Sequence, residues 1–182
     1  MRLGGVEYTV RLSVLGGRVT CGWLDLPPIK PRPMEQLKYY HGIRGEVLRS
    51  CIKNPRLSLY SLSGEHAVFM LESAYAVRSL ALSDVCKRLC EVLFFGEKID
   101  LHFAGISGEN SITLRSWRSP KTELVSSGIG AVLASYAARE IGLADGERIM
   151  VKTLGGSYCT ELDGYSPSLC AKCETVFYGE AM

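Results

Sequence analysis

The segment from Ser127 to Gly142 constrains the fold of this chain more than any other. It opens with Ser-Gly-Ile-Gly and continues as a helical run whose apolar residues cover almost the whole circumference: Ala131, Val132, Leu133, Ala134, Tyr136, Ala137, Ala138 and Ile141. A helix that is apolar on every side must be enclosed by other elements, and Gly142 is the residue type that ends a helix. The segment therefore predicts a buried helix over about 128–141.

The segments around this helix carry the patterns of strands, because their apolar residues alternate or form short continuous runs. The predicted strands cover 6–12, 19–25, 57–62, 67–71, 99–103, 111–117, 148–153, 157–162 and 174–178. Two further helices are predicted, one over 34–41 and one over 84–94 with Ser83 as its N-cap. Strands around one central buried helix make this an α+β fold.

The prolines between Pro27 and Pro33 mark the strongest interruption in the chain, with four prolines in seven residues. Proline cannot enter a helix interior or a central strand, so this segment is predicted to be an extended connector. We therefore divide the chain into residues 1–35, with two N-terminal strands and the connector, and a main unit over 36–182.

Composition places the chain among ordinary globular proteins. It has 182 residues, 47% of them hydrophobic and 22% charged, with a net charge of +2. This charge is too small, and the basic residues too scattered, to favour a nucleic-acid partner. Neither end has an apolar run long enough for a membrane span or a secretory signal. A cytoplasmic location is therefore expected, with no membrane partner.

Cysteine spacing offers one candidate metal motif, Cys170-Ala-Lys-Cys173, with Cys159 expected across the sheet. Zinc takes four ligands, and neither a second cysteine pair nor a paired histidine motif accompanies it. Cys86 and Cys90 are spaced four residues apart on a predicted helix and fit a core position. We expect the seven cysteines to be reduced, and we expect neither a metal nor a cofactor.

Three motifs in the second half of the chain resemble one known family when taken together. They are Ser126-Ser-Gly-Ile-Gly-Ala131, Val151-Lys-Thr-Leu-Gly-Gly156 and Glu174-Thr-Val-Phe-Tyr-Gly-Glu180. They resemble the Cys-Gly-x-Gly loop, the Val-x-Thr-Pro-Gly-Gly hairpin and the Glu-x-Val-Phe-x-Gly-Glu strand in the second, C-terminal lobe of diaminopimelate epimerase. Upstream, residues 63–68 and 99–101 are similar to two further motifs of that family.

The resemblance implies a fold and a reaction. Each lobe of these epimerases is a curved, mostly antiparallel sheet around a central helix, and residues 1–35 would correspond to the junction between lobes. The family uses two cysteines, one on each lobe, to remove and return the Cα proton of an amino acid. Here the first lobe is absent, and Ser127 stands at the second cysteine position. His66, which partners the first-lobe base in the family, is retained.

The ligand-binding positions implied by the resemblance are also altered. Arg118 stands where the family has the glutamate that supports its cysteine, and Ser119 stands at a substrate-binding arginine. Two substrate-contacting asparagines correspond to Gly64 and Asp100. The resemblance therefore implies that this site has lost the side chains of an epimerase.

The backbone of the loop before the buried helix has retained its pattern. The N–H groups of Gly128, Ile129 and Gly130 open the helix, and such a terminus binds carboxylate or phosphate. The hydroxyls of Ser126 and Ser127 would add hydrogen-bond donors. Alternatively, the glycines only allow a close approach to the sheet, and Ser127 caps the helix.

Two functions remain open. The first is a non-catalytic, epimerase-like protein that keeps its fold for carboxylate binding or for assembly, as a homo-oligomer or with a partner lobe. The second is an active amino-acid racemase or epimerase completed by a second copy or a partner lobe. A hydrolase with Ser127 as nucleophile is disfavoured, because no base is expected beside it.

Overall fold

The computed structural model describes residues 2–3, 6–32, 56–92, 98–118, 122–163 and 166–173. The predicted helix over 34–41, the predicted strand over 174–178, the motif over 174–180 and Ser119 lie outside these residues. The strands are β1 (Arg2–Leu3), β2 (Val6–Glu7), β3 (Val10–Leu15), β4 (Arg18–Asp25), β5 (Lys30–Arg32), β6 (Arg56–Ser61), β7 (Glu65–Leu71), β8 (Ile99–Gly108), β9 (Ser111–Arg118), β10 (Thr122–Leu124), β11 (Arg148–Thr153), β12 (Gly156–Asp163) and β13 (Ser166–Lys172). The helices are α1 (Ala74–Ser79), α2 (Leu82–Val92) and α3 (Gly128–Glu140).

One open, mixed sheet of 11 strands dominates the described residues. Its order is β3-β4-β13-β12-β11-β9-β8-β7-β6-β5, with β10 beside β9. The pairs β7–β8 and β9–β11 are parallel, whereas the other neighbours are antiparallel. The sheet is therefore mostly antiparallel, as expected. No described helix is long and apolar enough to cross a membrane.

The central strands bury side chains on both faces, which explains their continuous apolar runs. In β7, Val68 and Met70 pack in the cluster that contains α3, whereas Ala67, Phe69 and Leu71 pack in the cluster that contains α1 and α2. Alternate residues of a strand point to opposite faces. Helices therefore cover both faces of the sheet at β7 and β8, with α3 on one face and the α1–α2 pair on the other.

The predicted buried helix is α3, and every residue from Gly130 to Ala138 is buried. Its end follows the Schellman pattern, because Leu143 N–H donates to the carbonyl of Ala138 and Gly142 N–H donates to that of Arg139. Gly142 has φ +69, a left-handed conformation that glycine adopts without steric cost. Gly142 therefore ends the helix as the sequence predicted.

Strands β3, β4 and β5 belong to the same sheet as the rest of the described chain, whereas β1 and β2 pair with each other in a separate two-stranded sheet. Hairpin β3–β4 turns at Gly16 and Gly17, whose φ values are 57 and 75, and β4 pairs with β13. Strand β5 contains Pro31 but pairs only with β6, at the end of the sheet. A proline is tolerated there because an edge strand leaves one row of N–H groups unpaired.

Several boundaries differ from the prediction. Helix α2 begins at Leu82, so the predicted N-cap Ser83 is wrong and lies inside the first turn. Helix α1 was not predicted, because its six residues are too short for a helical period to be recognised. Strand β8 continues to Gly108, five residues beyond the predicted end at residue 103, and the turn before β9 consists of Glu109 and Asn110. Strands β10 and β13 were also missed.

Arg115 of β9 joins the sheet to α1. Its Nη1 donates to the carbonyls of Val77 (3.3 Å) and Leu80 (2.7 Å) at the end of α1. Its Nε and Nη2 donate to the two carboxylate oxygens of Glu123 on β10, at 2.7 and 3.0 Å. Only a planar guanidinium can make this bidentate pair and also donate to the carbonyls. Arg115 therefore holds α1 and β10 against β9.

We expect Arg115→Met to lower the free energy of unfolding by about 2–4 kcal/mol, because Glu123 and the carbonyls at the end of α1 lose their charged donor. Chemical denaturation monitored by circular dichroism measures the change. Arg115→Lys is the matched control, since it keeps the charge without the fork and should recover only part of the loss. Full stability in Arg115→Met would contradict this role.

Candidate functional site

The candidate site lies where α3 begins, on the face of the sheet that α3 covers. Three polar side chains of adjacent strands line up there: His66 of β7, His102 of β8 and Ser116 of β9. His102 lies directly opposite Ser116 in the β8–β9 register. All three are buried, and the exposed fraction of His102 is 0%. Burying a polar group costs free energy unless the group is hydrogen-bonded. The hydrogen-bond partners of these three side chains therefore determine their possible roles.

A continuous hydrogen-bond chain satisfies the three side chains. His66 Nε2 lies 3.1 Å from the carbonyl oxygen of Leu62, and His66 Nδ1 lies 3.1 Å from His102 Nε2. His102 Nδ1 lies 2.9 Å from Ser116 Oγ. A carbonyl only accepts, so His66 carries its proton on Nε2 and accepts at Nδ1 from His102 Nε2–H. Ser116 then donates to His102 Nδ1, and both rings are neutral.

Burial keeps both rings neutral. It lowers the pKa of His66, against the favourable charges of Asp100 and Glu65. Burial lowers the pKa of His102 to about 3, and the proximity of His66 and Arg118 adds to this shift. Neutral imidazoles at pH 7 support a structural hydrogen-bond chain; neither ring is poised to exchange a proton with a ligand.

The first turn of α3 rests directly on His102. A Cβ added to Gly130 would meet His102 Nδ1 at 2.5 Å and Ser127 Oγ at 2.9 Å. The buried ring is held by hydrogen bonds on both nitrogens and cannot move aside. A Cβ on Gly128 would meet Leu169 Cδ2 of β13 at 2.5 Å. The two glycines of the loop therefore allow the helix to begin in contact with the sheet.

Ser127 acts as the N-cap of α3. Its φ is −144 and ψ is 107, and its Oγ accepts a 3.0 Å hydrogen bond from Gly130 N–H. Ser127, the residue that the sequence resemblance matched to a catalytic cysteine, is therefore engaged in a structural interaction. Within the described chain, the N–H groups of Gly128 and Ile129 donate to no residue. These two donors lie at the positive end of the helix, without an acceptor among the described residues.

A cluster of hydroxyls adjoins these donors. Ser126 Oγ lies 2.5 Å from Tyr158 Oη of β12 and 3.4 Å from Thr153 Oγ1 of β11. Ser126 thus sits between the helix terminus and the β11–β12 hairpin, whose position the Val-x-Thr-x-Gly-Gly motif indicated. The hydroxyls of Ser126 and Tyr158 extend the set of donors beside Gly128.

Asp100 and Arg118 form the charged rim of the site. Asp100 lies beside His66 in the β7–β8 register, and Arg118 Nε lies 3.4 Å from Asp100 Oδ2. The Arg118 side chain is 63% exposed and that of Asp100 is 22% exposed. An exposed ion pair of this kind is weak, so Arg118 is free to turn to an anionic ligand. Ser119 lies outside the described residues, so its assignment remains a prediction.

The structure adds three residues that the sequence did not single out: His102, Ser116 and Tyr158. The sequence did carry a signal for His102. In Ile99-Asp100-Leu101-His102-Phe103 the polar residues occupy alternate positions of a strand buried on both faces, so they share one interior face. Two polar residues on that face indicate a buried polar cluster. His66 alone gave no such indication.

No protein-family model matches this chain, and no curated protein sequence matches it either. Several solved structures, however, do match this chain. A predicted epimerase from Pseudomonas aeruginosa matches with a TM-score of 0.62 and 13% identity, covering 97% of this chain and 66% of that one. A PhzF-family phenazine biosynthesis protein from Bacillus anthracis matches with a TM-score of 0.58 and 12% identity, covering 93% and 65%.

A hydroxyproline epimerase from Agrobacterium vitis with bound trans-4-hydroxy-L-proline matches with a TM-score of 0.55 and 13% identity, covering 93% of this chain and 59% of that one. The chain has the fold of these three proteins. It spans less than two thirds of the length of each of the three. Identities this low establish the fold alone. The resemblance seen in the sequence is therefore confirmed at the level of an epimerase- and racemase-like fold.

We expect the stability of the protein to fall by about 3 kcal/mol between pH 7 and pH 4 because of His102 alone. An unfolded histidine binds a proton below about pH 6.5, whereas the folded His102 has a pKa of about 3. The unfolded state then binds more protons, so stability is complete above pH 6.5 and is lost as the pH falls.

Denaturant unfolding measured across this pH range tests the prediction. In His102→Gln, the slope of the unfolding free energy against pH should decrease by the equivalent of about one proton in that range. The loss of stability caused by the substitution itself is subtracted first. An unchanged slope in His102→Gln would show that His102 is protonated in the folded protein.

Proposed function

We propose that this chain is a lobe of the diaminopimelate-epimerase type, with α3 as its central helix, that binds a small carboxylate at the start of α3 without catalysing racemisation. The observation that carries this proposal is the N-cap role of Ser127. The start of α3 presents backbone N–H donors. The Ser127 side chain, at the proposed cysteine position, accepts a hydrogen bond from Gly130 N–H and so stabilises that terminus.

Loss of catalysis follows from the chemistry of the proton transfer. Racemisation at Cα needs groups that accept and donate a proton near neutral pH. Ser127 carries an alcohol, which is a much weaker acid than a thiol, and its oxygen accepts from Gly130 N–H. The described cysteines lie on α2, β4, β12 and β13 or just after β13. The imidazoles of His66 and His102 are buried and neutral, and they are hydrogen-bonded to each other.

Carboxylate binding follows from the donors that remain. Gly128 and Ile129 present N–H groups at the positive end of a 13-residue helix, which is a favourable place for an anion. Ser126 supplies a hydroxyl, and Arg118 supplies an exposed guanidinium on the rim that can bind a carboxylate through two parallel hydrogen bonds. The bound amino acid of the Agrobacterium vitis epimerase suggests free amino acids, proline derivatives among them, as the ligand class.

Assembly is the second part of the proposal. Two large apolar side chains stand exposed beside the site, Val125 at 66% and Leu154 at 65%. They are neighbours, because Gly155 N–H donates to the carbonyl of Val125 at 2.8 Å. Adjacent apolar side chains at the edge of a binding site favour a partner surface. A second copy of this chain would cover them and close the site, within the cytoplasm.

We expect Arg118→Gln to weaken the binding of hydroxyproline or proline about fivefold, since one charge-assisted contact contributes about 1 kcal/mol. Isothermal titration calorimetry measures the affinity, and prolinamide, which lacks the carboxylate, should not bind. Arg148→Gln is the matched control, because Arg148 is an equally exposed arginine paired to Glu161 away from α3. Equal affinity for prolinamide and proline would contradict carboxylate recognition.

Proton exchange at Cα separates binding from catalysis. We expect no deuterium to enter Cα of diaminopimelate, proline or hydroxyproline when each is incubated with the protein in deuterium oxide and followed by NMR. Exchange that disappears in Ser127→Ala would establish an active racemase and overturn the non-catalytic proposal.

A further inference from the structure

The two ends of the sheet differ in how their outer edges are protected. An edge strand presents a row of unpaired N–H and C=O groups, and charged residues or prolines prevent these groups from pairing with another chain. Strand β5, at one end, consists of Lys30-Pro31-Arg32 and so carries both kinds of protection. Strand β3, at the other end, has the sequence Val-Arg-Leu-Ser-Val-Leu, with one charged residue and no proline. In the described chain, β3 pairs with β4 alone, so its outer edge is open to a partner.

The backbone of β3 directs its polar groups alternately toward β4 and toward this open edge. Asp25 N–H donates to the carbonyl of Thr9 at 3.2 Å, just before β3 begins. In an antiparallel pair, hydrogen-bonded and non-hydrogen-bonded positions alternate. The register shift between β3 and β4 places its extra residue, Thr20, in β4, so the alternation along β3 is not interrupted. The N–H and C=O groups of three residues therefore face the open edge: Val10, Leu12 and Val14.

The same three residues carry exposed apolar side chains. The exposed fractions are 37% for Val10, 58% for Leu12 and 59% for Val14. Alternate residues of a strand share a face, so the three side chains form one stripe, which we call the edge stripe. Val10 lies opposite Leu24, which in turn lies opposite Leu169, and Leu169 packs against the core cluster around α3. The edge stripe therefore lies on the face of the sheet that carries α3.

A second copy of this chain fits the open edge of β3, because the strand is complementary to itself. When two copies of β3 run antiparallel about a two-fold axis at Leu12, Leu12 lies opposite its counterpart and Val10 lies opposite Val14. Each pair then exchanges two backbone hydrogen bonds, since the groups on both strands face outward. On the other face, Arg11 lies opposite Ser13, a small neutral residue. A two-fold axis at Arg11 would instead place two guanidinium groups opposite each other, which is destabilising.

We propose that this protein forms a homodimer in which two β3 strands pair edge to edge, so that the sheets of both copies become one continuous sheet. The two-fold axis is perpendicular to this sheet, so α3 lies on the same side in both copies. The two edge stripes then adjoin, and their apolar side chains are removed from water. In the sheet order β3 is four strands from β11, which Leu154 follows. This interface is therefore separate from Val125 and Leu154, and it does not depend on carboxylate binding.

Sedimentation velocity of the full-length protein over a range of concentrations measures the dimer. We expect Leu12→Lys to raise the dissociation constant of the dimer at least about tenfold, because two ammonium groups then lie opposite each other at the two-fold axis. The Leu12 side chain is largely exposed in one copy, so the substitution should leave the fold intact. Circular dichroism of the variant checks this.

Leu15→Lys is the matched control. Leu15 is more exposed than Leu12, at 76%, but it lies at the turn end of β3 and on the opposite face. The dimer should therefore persist in Leu15→Lys. A wild-type protein that is monomeric at every concentration, or an equal loss of the dimer in Leu15→Lys, would overturn the proposal. So would a dimer that Leu154→Lys dissociates and Leu12→Lys does not, because assembly would then use the surface beside the carboxylate site.

Amide hydrogen exchange followed by NMR tests the strand pairing itself. In the wild-type dimer, Val10 N–H should exchange at least about tenfold more slowly than in Leu12→Lys, since it donates to the second copy only in the dimer. Arg11 N–H donates to β4 within one copy and should exchange at the same rate in both proteins. A Val10 exchange rate that is equal in the wild-type dimer and in Leu12→Lys would contradict edge pairing, whatever the sedimentation result.

Discussion

The hydrogen bond between His66 and His102 is the interaction on which this structure depends. It lies between the parallel strands β7 and β8 at 3.1 Å, and Leu62 and Ser116 extend it at either end. Two buried imidazoles would be costly if either were charged or left without partners. The chain of partners satisfies every ring nitrogen, and Gly130 packs against Nδ1 and Cε1 of the His102 ring. The register of β7, β8 and β9 and the position of α3 are therefore coupled through one ring.

This arrangement explains how the fold can persist while its chemistry changes. The start of α3 is held by Gly130 on His102, Gly128 against Leu169 and the Ser127 cap, and none of these contacts requires a thiol. The N–H groups of the terminus depend only on the backbone. A carboxylate site of this kind survives the replacement of the residues around it, whereas proton transfer at Cα does not, because it needs specific acids and bases.

The sequence predicted the parts of the fold that local pattern determines. The apolar circumference of α3, its glycine stop and the glycine turn between β11 and β12 were all readable, and so was the doubly buried β7. The features that the sequence did not predict depend on contacts between distant segments. His102 is a site residue because His66 and Ser116 lie beside it on other strands. The Ser127 cap, in contrast, is a local contact and was one of the two alternatives that the sequence offered. Cys159 lies across the sheet from Cys170, as expected from the sequence, but the pairing of Cys170 with Trp23 of β4 joins segments too distant for the sequence to reveal it.

The most direct test of this account is the tautomeric state of the two buried histidines, measured by long-range proton–nitrogen NMR of ¹⁵N-histidine-labelled protein at pH 7. The account predicts that both rings are neutral and carry their protons on Nε2, because Leu62 accepts from His66 and His66 accepts from His102. Ring nitrogen shifts of an imidazolium, or a proton on Nδ1 of His102, would contradict it. An imidazolium would mean that the row beneath α3 carries a transferable proton, against the non-catalytic proposal, whereas a proton on Nδ1 of His102 would reverse the direction of its hydrogen bond to Ser116.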